Sequence, residues 1–320
     1  MTLQVLNDGF FDEVRQFLSM NVISPIHFYN RYTQHLETEA VYGDGFLKWA
    51  YGNPLGRVSV DLIVKRAFFS HFYGWWMDRP STVAKVKPFV ESFGLDAQEF
   101  VKKMDEFTSF NDFFSRELKS EARPIADDRD AVVFPADGRH LGFQDLSRVE
   151  HVFVKGQSFD LDALLGDAHL ANRYRNGSAV LSRLCPTDYH RFHFSVEGNA
   201  GQTQLINGDL YSVNPMALRQ NLNYLCENKR ALTSVRTDRC GEVLIMEIGA
   251  TNVGSILQTF QSDGSLQRKG QEKGYFRFGG SATMTFFEPG VVKLAQDLRT
   301  HSANGIELYA RMGDIMGRVS

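Results

Sequence analysis

The second half of the chain is dominated by short runs of β-branched and aromatic residues. Turn-forming Gly, Asn, Asp or Pro separates these runs, and each run has the length of a strand rather than of a helix. They are AVVF (131–134), HVFVK (151–155), SAVLSRL (178–184), RFHFSV (191–196), EVLIMEI (242–248), YFRF (275–278) and TMTFF (283–287). The pattern predicts a mainly antiparallel β domain over residues 121–320.

The first 120 residues show helical periodicity instead. Apolar residues recur at helical spacing from Val58 to Trp76. Asp96 and Glu99 have the spacing of a capping box, and an apolar stripe follows them as far as Phe107. A short amphipathic segment occupies 110–118, and the polar, aperiodic segment 119–130 is the predicted boundary. We therefore expect an α+β protein with a helical region at 1–120 and a β-rich region at 121–320.

Composition argues against several classes of protein. The formal net charge of −3 and the pI of about 6.3 lack the basic excess of a nucleic-acid-binding protein. The three cysteines form no CxxC pair, which favours a reducing compartment over a disulfide framework or zinc ribbon. No apolar run reaches the roughly 18 to 20 residues of a membrane span, so we expect none. The 26 phenylalanines fit either a Phe-rich core or a lipid-facing surface.

Gly279, Gly280 and Ser281 form the first candidate reactive segment. A glycine turn in a hairpin explains such a tripeptide without any chemistry. A self-cleaving serine is the functional alternative, and the tripeptide alone is a weak signal for it. The Ser281 hydroxyl would have to reach its own preceding carbonyl through a strained backbone, which glycine tolerates. The tripeptide alone does not separate the two interpretations.

The segment DYHRFH holds two histidines, His190 and His193, close to Asp188. One reading is a buried structural histidine beside an exposed one. A metal site with Cys185 lacks a fourth ligand at a familiar spacing, so we expect no metal. A general base is the third possibility, because histidine titrates near neutral pH. Asp137, in PADG, either opens a turn or orients a histidine.

Taken together, these segments resemble the phosphatidylserine decarboxylase family. The similar motifs occur in the family's order over most of the chain, and so many ordered matches are highly specific. They are NPLGR (53–57), FYGWWMD (72–78), FNDFFSRELKSEARPI (110–125), VVFPADGRH (132–140), VKGQSFDLDALLG (154–166), LCPTDYHRFHFSVEG (184–198), GDLYSVNPMAL (208–218), ENKRAL (227–232), IGATNVGSI (248–256) and KGQEKGYFRFGGS (269–281).

The resemblance implies a role for each candidate residue. Ser281 matches the serine that attacks the Gly280 carbonyl, cleaves the chain there and becomes a pyruvoyl group, the cofactor of the family. Asp137 and His193 match the acid and base that activate the serine, and His190 matches the histidine assigned to decarboxylation. The implied reaction converts phosphatidylserine to phosphatidylethanolamine and CO₂. One departure stands out: Ala282 follows the serine where the family usually has Ser or Thr.

The resemblance also implies a setting for the protein. The family's fold is a β-rich, barrel-like domain with N-terminal helices that lie on a membrane. We therefore expect a homodimer of cleaved two-chain units, peripherally bound to the cytoplasmic side of the cell membrane. The Val58–Trp76 helix, rich in aromatic and basic residues, suits a bilayer interface, although packing on the β domain explains it too. Two alternative functions remain: decarboxylation of a soluble amino acid, and lipid binding without catalysis.

Overall fold

The computed structural model describes residues 25–39, 74–149, 160–219, 221–250, 256–277, 279 and 281–320. Strands make up most of the regular structure in these ranges. The strands are β1 (His27–Asn30), β2 (His35–Thr38), β3 (Ala131–Val133), β4 (Gly138–Phe143), β5 (Ser178–Leu184), β6 (Arg191–His193), β7 (Gly198–Ala200), β8 (Gln204–Ile206), β9 (Arg230–Arg236), β10 (Glu242–Ile248), β11 (Ile256–Gln258), β12 (Leu266–Gln267), β13 (Glu272–Phe276), β14 (Ser281–Phe287), β15 (Val292–Leu294), β16 (Glu307–Ala310) and β17 (Ile315–Val319).

The helices are short and lie mostly between strands. The α-helices are α1 (Val86–Phe93), α2 (Phe110–Phe114), α3 (Leu161–Leu165), α4 (Ala168–Tyr174), α5 (Pro215–Leu218), α6 (Tyr224–Glu227) and α7 (Gln296–Ala303). The 3₁₀ helices are Pro80–Lys85, Ala97–Glu99, Ser120–Ala122 and Leu146–Arg148. None of the helices in the described ranges is long and apolar enough to cross a bilayer.

One large sheet organises the strands, in the order β12-β7-β9-β10-β14-β5-β4-β16-β1-β2, with β8 on β9. Its pairs are antiparallel except for β1 with β16. Two smaller sheets have the orders β11-β13-β6 and β15-β17-β3. The α+β class with mainly antiparallel strands is thus confirmed. The barrel-like form is not, because β12 and β2 end an open path of described strands, whereas a barrel needs its end strands paired.

The large sheet is buried on both faces. Leu244 and Met246 of β10 belong to one apolar cluster, and the intervening Val243 and Ile245 belong to the other. This follows from the two-residue period of a strand, which sends alternate side chains to opposite faces. A chain segment such as EVLIMEI can therefore be apolar at nearly every position and still be a strand.

Residues 25–39 depart from the helical reading of the first 120 residues. They form the hairpin of β1 and β2, and β1 extends the large sheet by pairing with β16. The short turn between the strands includes Gln34 with a positive φ of 59°. Pairing with the edge of the sheet thus fixes this segment as a hairpin within a region that was predicted to be helical. Of the predicted Val58–Trp76 helix, residues 74–76 are helical. Residues 58–73, like the predicted strand at 151–155, lie outside the described ranges.

The predicted helix from Asp96 to Phe107 is wrong beyond its first turn. Asp96 does cap a helix, accepting from the Gln98 amide, but the helix is a 3₁₀ turn that ends at Glu99. Phe100 then forms a bridge with Leu118, and the Phe100 and Phe107 rings pack edge-on against Phe113. Burial of these rings fixes an irregular backbone. The division of the chain at residue 120 stays a prediction.

The structure shows where several of the 26 phenylalanines lie. Phe89, Phe100, Phe107, Phe110, Phe113 and Phe114 are all buried in one apolar cluster beneath α1 and α2. Neighbouring rings meet in tilted or edge-to-face contacts with centroids 5.4–6.3 Å apart, a favourable geometry for aromatic pairs. These phenylalanines therefore form a core rather than a lipid-facing surface.

Candidate active site

Ser281 is the first residue of β14 and is fully buried. It lies opposite Leu184 of β5, and its Oγ has no hydrogen-bond partner among the described residues. Thr283 and Thr285, on the same face of β14, also have unpaired hydroxyls, so an unpaired Oγ alone does not distinguish Ser281. What distinguishes it is Gly279 two residues earlier, whose φ of 140° is a conformation that residues with a Cβ avoid. Gly280 lies outside the described residues.

Ala282 points to the other face of β14. It is buried in the apolar cluster that also holds Ile248 and Met284, and it lies opposite Ile248 in the sheet. A hydroxyl at position 282 would therefore face apolar side chains, on the opposite side of the strand from the Ser281 Oγ.

His190 is fully buried in the turn that leads into β6. Its Nδ1 lies 3.0 Å from the Asp188 carbonyl oxygen, and because a carbonyl only accepts, Nδ1 carries the proton. Nε2 is then the unprotonated nitrogen, and it has no hydrogen-bond partner in the described part of the chain. Burial lowers the pKa of His190 to about 3, although the Asp188 and Gly279 backbones act to raise it. His190 is thus neutral and lies near Gly279, two residues before Ser281.

The imidazole of His193 sits at the end of β6. Its backbone amide donates to the Pro135 carbonyl at 2.8 Å, and its Nδ1 is buried without a partner in the described ranges. Burial lowers the pKa of His193 to about 4, while Glu272, the Pro135 backbone and Asp137 act in the opposite direction. A neutral imidazole with an unpaired nitrogen can accept a proton, which is what a general base requires.

Asp137 lies just before β4 and is almost completely buried. Its carboxylate accepts from Nε of Arg123 at 2.9 and 2.8 Å and from the Met312 amide at 2.9 Å. The described hydrogen bonds of Asp137 include none to His193, so within these ranges the carboxylate acts on the imidazole through its charge. Arg123, in the predicted boundary segment, was missed by sequence reasoning. Its position in the ARPI of the similar motif was the available signal.

A buried ion pair connects the Asp137 segment with the His190 turn. Arg139 donates to both carboxylate oxygens of Asp188 at 2.7 and 2.5 Å, and Asp188 also accepts from the Cys185 amide at 2.7 Å. Gly138 lets the two segments approach, because a Cβ there would lie 2.5 Å from the Arg183 carbonyl oxygen. This contact fixes the turn that carries the histidines relative to Asp137.

An ion pair joins the N-terminal hairpin to β5, the strand that leads into the histidine turn. Arg183 of β5 pairs with Glu39 at 2.5 Å and with Glu307 at 2.7 Å, and all three side chains are nearly inaccessible. The Arg183 guanidinium also donates to the Cys185 sulfur, and burial raises the pKa of that thiol well above its usual value. Cys185 is therefore a protonated structural thiol rather than a nucleophile.

A cavity of about 370 Å³ borders one candidate residue, Asp137, and the turn that precedes His190. Asp137 and the turn residues Thr187, Asp188 and Tyr189 form part of its wall, and the Tyr189 ring lies 5.7 Å from the His193 ring. Four arginines also line it: Arg116, Arg123, Arg139 and Arg311. In the described ranges, no group of three or more His, Cys, Asp or Glu residues has the arrangement of a metal site.

The structure thus brings some of the sequence-predicted residues together. Asp137 and His193 are within electrostatic reach of each other, and His190 adjoins Gly279. Ser281 heads the strand beside β5, whose C-terminal end leads into the histidine turn. The candidate residues supply a buried hydroxyl, two neutral imidazoles and a carboxylate that lines a charged cavity. These groups are the ones that acid–base and nucleophilic catalysis use.

Comparison with known proteins identifies the class. Residues 110–317 match the sequence profile of the phosphatidylserine decarboxylase family. The chain is 42% identical over 292 residues to the phosphatidylserine decarboxylase proenzyme of Clostridium beijerinckii, covering 91% of this chain and 98% of that protein. It is 44% identical over 293 residues to the protein of the same name from Chlamydia caviae, covering 92% and 98%. The chain belongs to the phosphatidylserine decarboxylase family.

Proposed function

We propose that this chain is the precursor of a pyruvoyl-dependent decarboxylase that converts phosphatidylserine to phosphatidylethanolamine and CO₂. The observation that carries the proposal is the similarity along nearly its full length to proteins named phosphatidylserine decarboxylase proenzyme. The candidate residues Asp137, His190, His193 and Ser281 are all buried, and Asp137 lines the cavity.

The first proposed step is self-cleavage. The Ser281 Oγ attacks the Gly280 carbonyl carbon, His193 takes the hydroxyl proton, and the Gly280–Ser281 amide bond breaks as an ester forms and the amine is protonated. Loss of the Ser281 α-proton then expels the Gly280 carboxylate and leaves dehydroalanine at position 281. Addition of water releases ammonia and leaves a ketone at the new N-terminus. The unpaired Oγ of Ser281 and the neutral His193 fit these roles.

The resulting pyruvoyl group supplies an electron sink for the carbanion left when CO₂ departs. The chain's own residues prepare the site for it. Strand β14 holds position 281 in a sheet buried on both faces, which excludes water. His190 is fixed by its bond to the Asp188 carbonyl and lies close to Gly279, and we assign it to proton transfer during decarboxylation.

The setting of the enzyme is part of the same proposal. The Trp75 and Trp76 side chains are 53% and 42% exposed, and Arg79 and Lys85 lie over their rings at 3.9 and 4.7 Å. Aromatic and basic side chains in close contact favour a bilayer interface. We propose peripheral binding to the cytoplasmic face of the cell membrane, by a homodimer of cleaved two-chain units.

The test is release of CO₂ from carboxyl-labelled phosphatidylserine in vesicles, compared with release from free serine. We expect turnover of the lipid by the purified protein and none by Ser281→Ala, which has no group to become the ketone. Turnover of free serine at the lipid's rate would favour the soluble amino acid instead. If neither phosphatidylserine nor free serine were turned over, lipid binding without catalysis would be the remaining function.

A further inference from the structure

Arg116 is a buried arginine without a carboxylate partner among the described residues. Its side chain follows α2, and the residue is only 5% exposed. One terminal nitrogen donates to the carbonyls of Thr187 and Asp188 at 3.4 and 3.2 Å. Nε and the other terminal nitrogen have no hydrogen-bond partner in the described ranges. Three of the five N–H groups of this guanidinium therefore have no acceptor among the described residues.

Arg116 lies between aromatic rings and lines the cavity beside the candidate active site. Phe100 and Phe113 lie within 5.1 and 5.0 Å of the guanidinium carbon, so their rings limit how it can turn. Arg116 itself lines the 370 Å³ cavity. Its charge acts on His190, and the charge of Asp137 acts on Arg116. The cation thus lines the cavity and is close enough to the histidine assigned to decarboxylation to lower its pKa.

Most carboxylates in the cavity wall already have partners. Asp137 and Glu99 pair with Arg123, and Asp188 pairs with Arg139. Asp96 caps a helical turn, and Glu37 accepts from the Asn30 and Thr33 side chains. Arg116 and the exposed Arg311 are left without an ion pair to any described carboxylate. The cavity therefore has spare positive charge at two points of its wall.

An uncompensated buried cation costs free energy. Burial lowers the pKa of Arg116 to about 10, and the Asp137 and Asp188 charges offset this only in part. Leaving donors unpaired in a desolvated site is unfavourable, and an oxyanion ligand removes that cost by forming charge-assisted hydrogen bonds. A site of this kind binds a phosphate group or a carboxylate.

We propose that Arg116 binds the phosphodiester of the phosphatidylserine headgroup in this cavity. The inference rests on the proposed function, because it takes the substrate from there. The substrate carries two anionic groups, a carboxylate and a phosphodiester. The carboxylate departs as CO₂, so strong ion pairing would stabilise the ground state over the transition state. The phosphodiester is unchanged by the reaction, and holding it anchors the lipid without hindering the chemistry.

The experiment compares Arg116→Gln and Arg116→Lys with the wild type, and uses Arg173→Gln as a matched control. Arg173 is a partly exposed arginine paired with Glu242, away from the cavity. The cleaved proteins are titrated with two product fragments, glycerophosphoethanolamine and ethanolamine, which share the amine and differ in the phosphodiester. Binding is followed both as inhibition of CO₂ release and as a shift of the melting temperature.

We expect Arg116→Gln to cleave itself fully and to raise KM for phosphatidylserine about tenfold to hundredfold, the range typical of a hydrogen bond to a charged group. Its kcat should change much less. The preference for glycerophosphoethanolamine over ethanolamine should fall by the same factor and recover partly in Arg116→Lys. Arg173→Gln should behave as the wild type.

Three results would overturn the inference. The first is an unchanged preference between the two fragments in Arg116→Gln. The second is failure of both Arg116 variants to cleave, which would make Arg116 a support for the Thr187–Asp188 turn. The third is equally strong binding of inorganic phosphate, which would indicate a free-phosphate site. The melting-temperature readout needs no turnover, so a wild type that binds the fragments but releases no CO₂ would contradict only the proposed function.

Discussion

His190 and His193 are three residues apart, yet their imidazoles have different environments. His190 is fixed by the Asp188 carbonyl and packs on Phe114, with ring centroids 3.9 Å apart. His193 lies on β6, next to the charges of Glu272 and Asp137. Two neutral histidines in one buried site can therefore serve two separate steps, because each is oriented by its own neighbours.

Replacing each histidine by alanine should separate the steps. His193→Ala should block or greatly slow cleavage, because no base takes the Ser281 proton. His190→Ala should still yield two chains but turn over little phosphatidylserine, since a general acid–base group contributes about 10²- to 10⁴-fold. A gel measures cleavage and released CO₂ measures turnover. If His190→Ala fails to mature while His193→Ala matures normally, the two roles are reversed.

Ala282 occupies a position where the family usually has Ser or Thr, but where the structure surrounds the side chain with apolar residues. The family usually has a hydroxyl there, and its absence would slow processing only if that hydroxyl donated to the oxyanion or to the ketone. In the structure the side chain faces the apolar cluster, opposite the Ser281 Oγ. We infer that Ala282 contributes packing and leaves cleavage intact.

At the level of elements, α2 contacts two places at once. Asn111 donates to the Gly74 carbonyl, next to the proposed lipid contacts Trp75 and Trp76, and Phe114 packs on His190 of the candidate active site. Phe114 belongs to the Phe cluster, and two other rings of that cluster flank Arg116, which donates to the Asp188 carbonyl. Arg191 beside His193 donates to the Ser115 carbonyl at 3.0 Å, which ties β6 to the end of α2. Met77, next to Trp76, is buried in the same Phe cluster, so a lipid bound near the two tryptophans would lie close to the segment that carries Arg116.

Exchanging Trp75 and Trp76 for Ser should weaken binding to anionic vesicles about tenfold or more, because each large apolar side chain buried in lipid is worth about 1.5–3 kcal/mol. The control exchanges Leu205 and Leu266 for Ser; these side chains are similarly exposed, at 52% and 59%, but lie on β8 and β12. Flotation with vesicles is the measurement. Equal losses in both double variants, or no loss in either, would contradict an interface at the tryptophans.

Sequence patterns predicted strands well and irregular aromatic segments poorly. SAVLSRL and EVLIMEI coincide with β5 and β10, and TMTFF lies within β14, because short β-branched runs between turns have few alternatives. The apolar spacing from Phe100 to Phe107 imitates a helix, but those rings are spaced to meet Phe113 in three dimensions. Local periodicity carries no information about such a partner.

The candidate site required more than local pattern. The family motifs, which occur in this chain in the family's order, identified Ser281, His190, His193 and Asp137. Arg123 and Arg116 were not found, because their importance comes from contacts with residues 14 and 72 positions away. Only the folded chain shows that Arg123 pairs with Asp137 and that Arg116 lacks such a partner among the described residues.

Across the molecule, three buried histidines make stability depend on pH. Burial lowers the pKa of His140 and His190 to about 3 and of His193 to about 4. The unfolded chain titrates these groups near 6.5, so between about pH 6.5 and 4 it binds protons that the folded chain does not. Stability is therefore highest above about pH 6.5 and falls as the pH decreases through this window.

Urea unfolding of the uncut Ser281→Ala protein measures this effect. The free energy of unfolding should fall by up to about 1.4 kcal/mol per pH unit for each of the three histidines below about pH 6.5. The slope should become shallower as the pH approaches 4 and the folded protein begins to take up the same protons. Constant stability from pH 6.5 to 5 would mean that these imidazoles are not buried in their neutral form.

The central claim is that Ser281 cleaves the chain and becomes the reactive group, and the intact mass of the purified protein tests it most directly. We expect two polypeptides, residues 1–280 and 281–320, with the smaller carrying a ketone in place of its α-amino group. Ser281→Ala should give one chain of the full mass. A wild-type protein that stays a single full-length chain after long incubation, or a Ser281→Ala protein cut at the same place, would contradict the account.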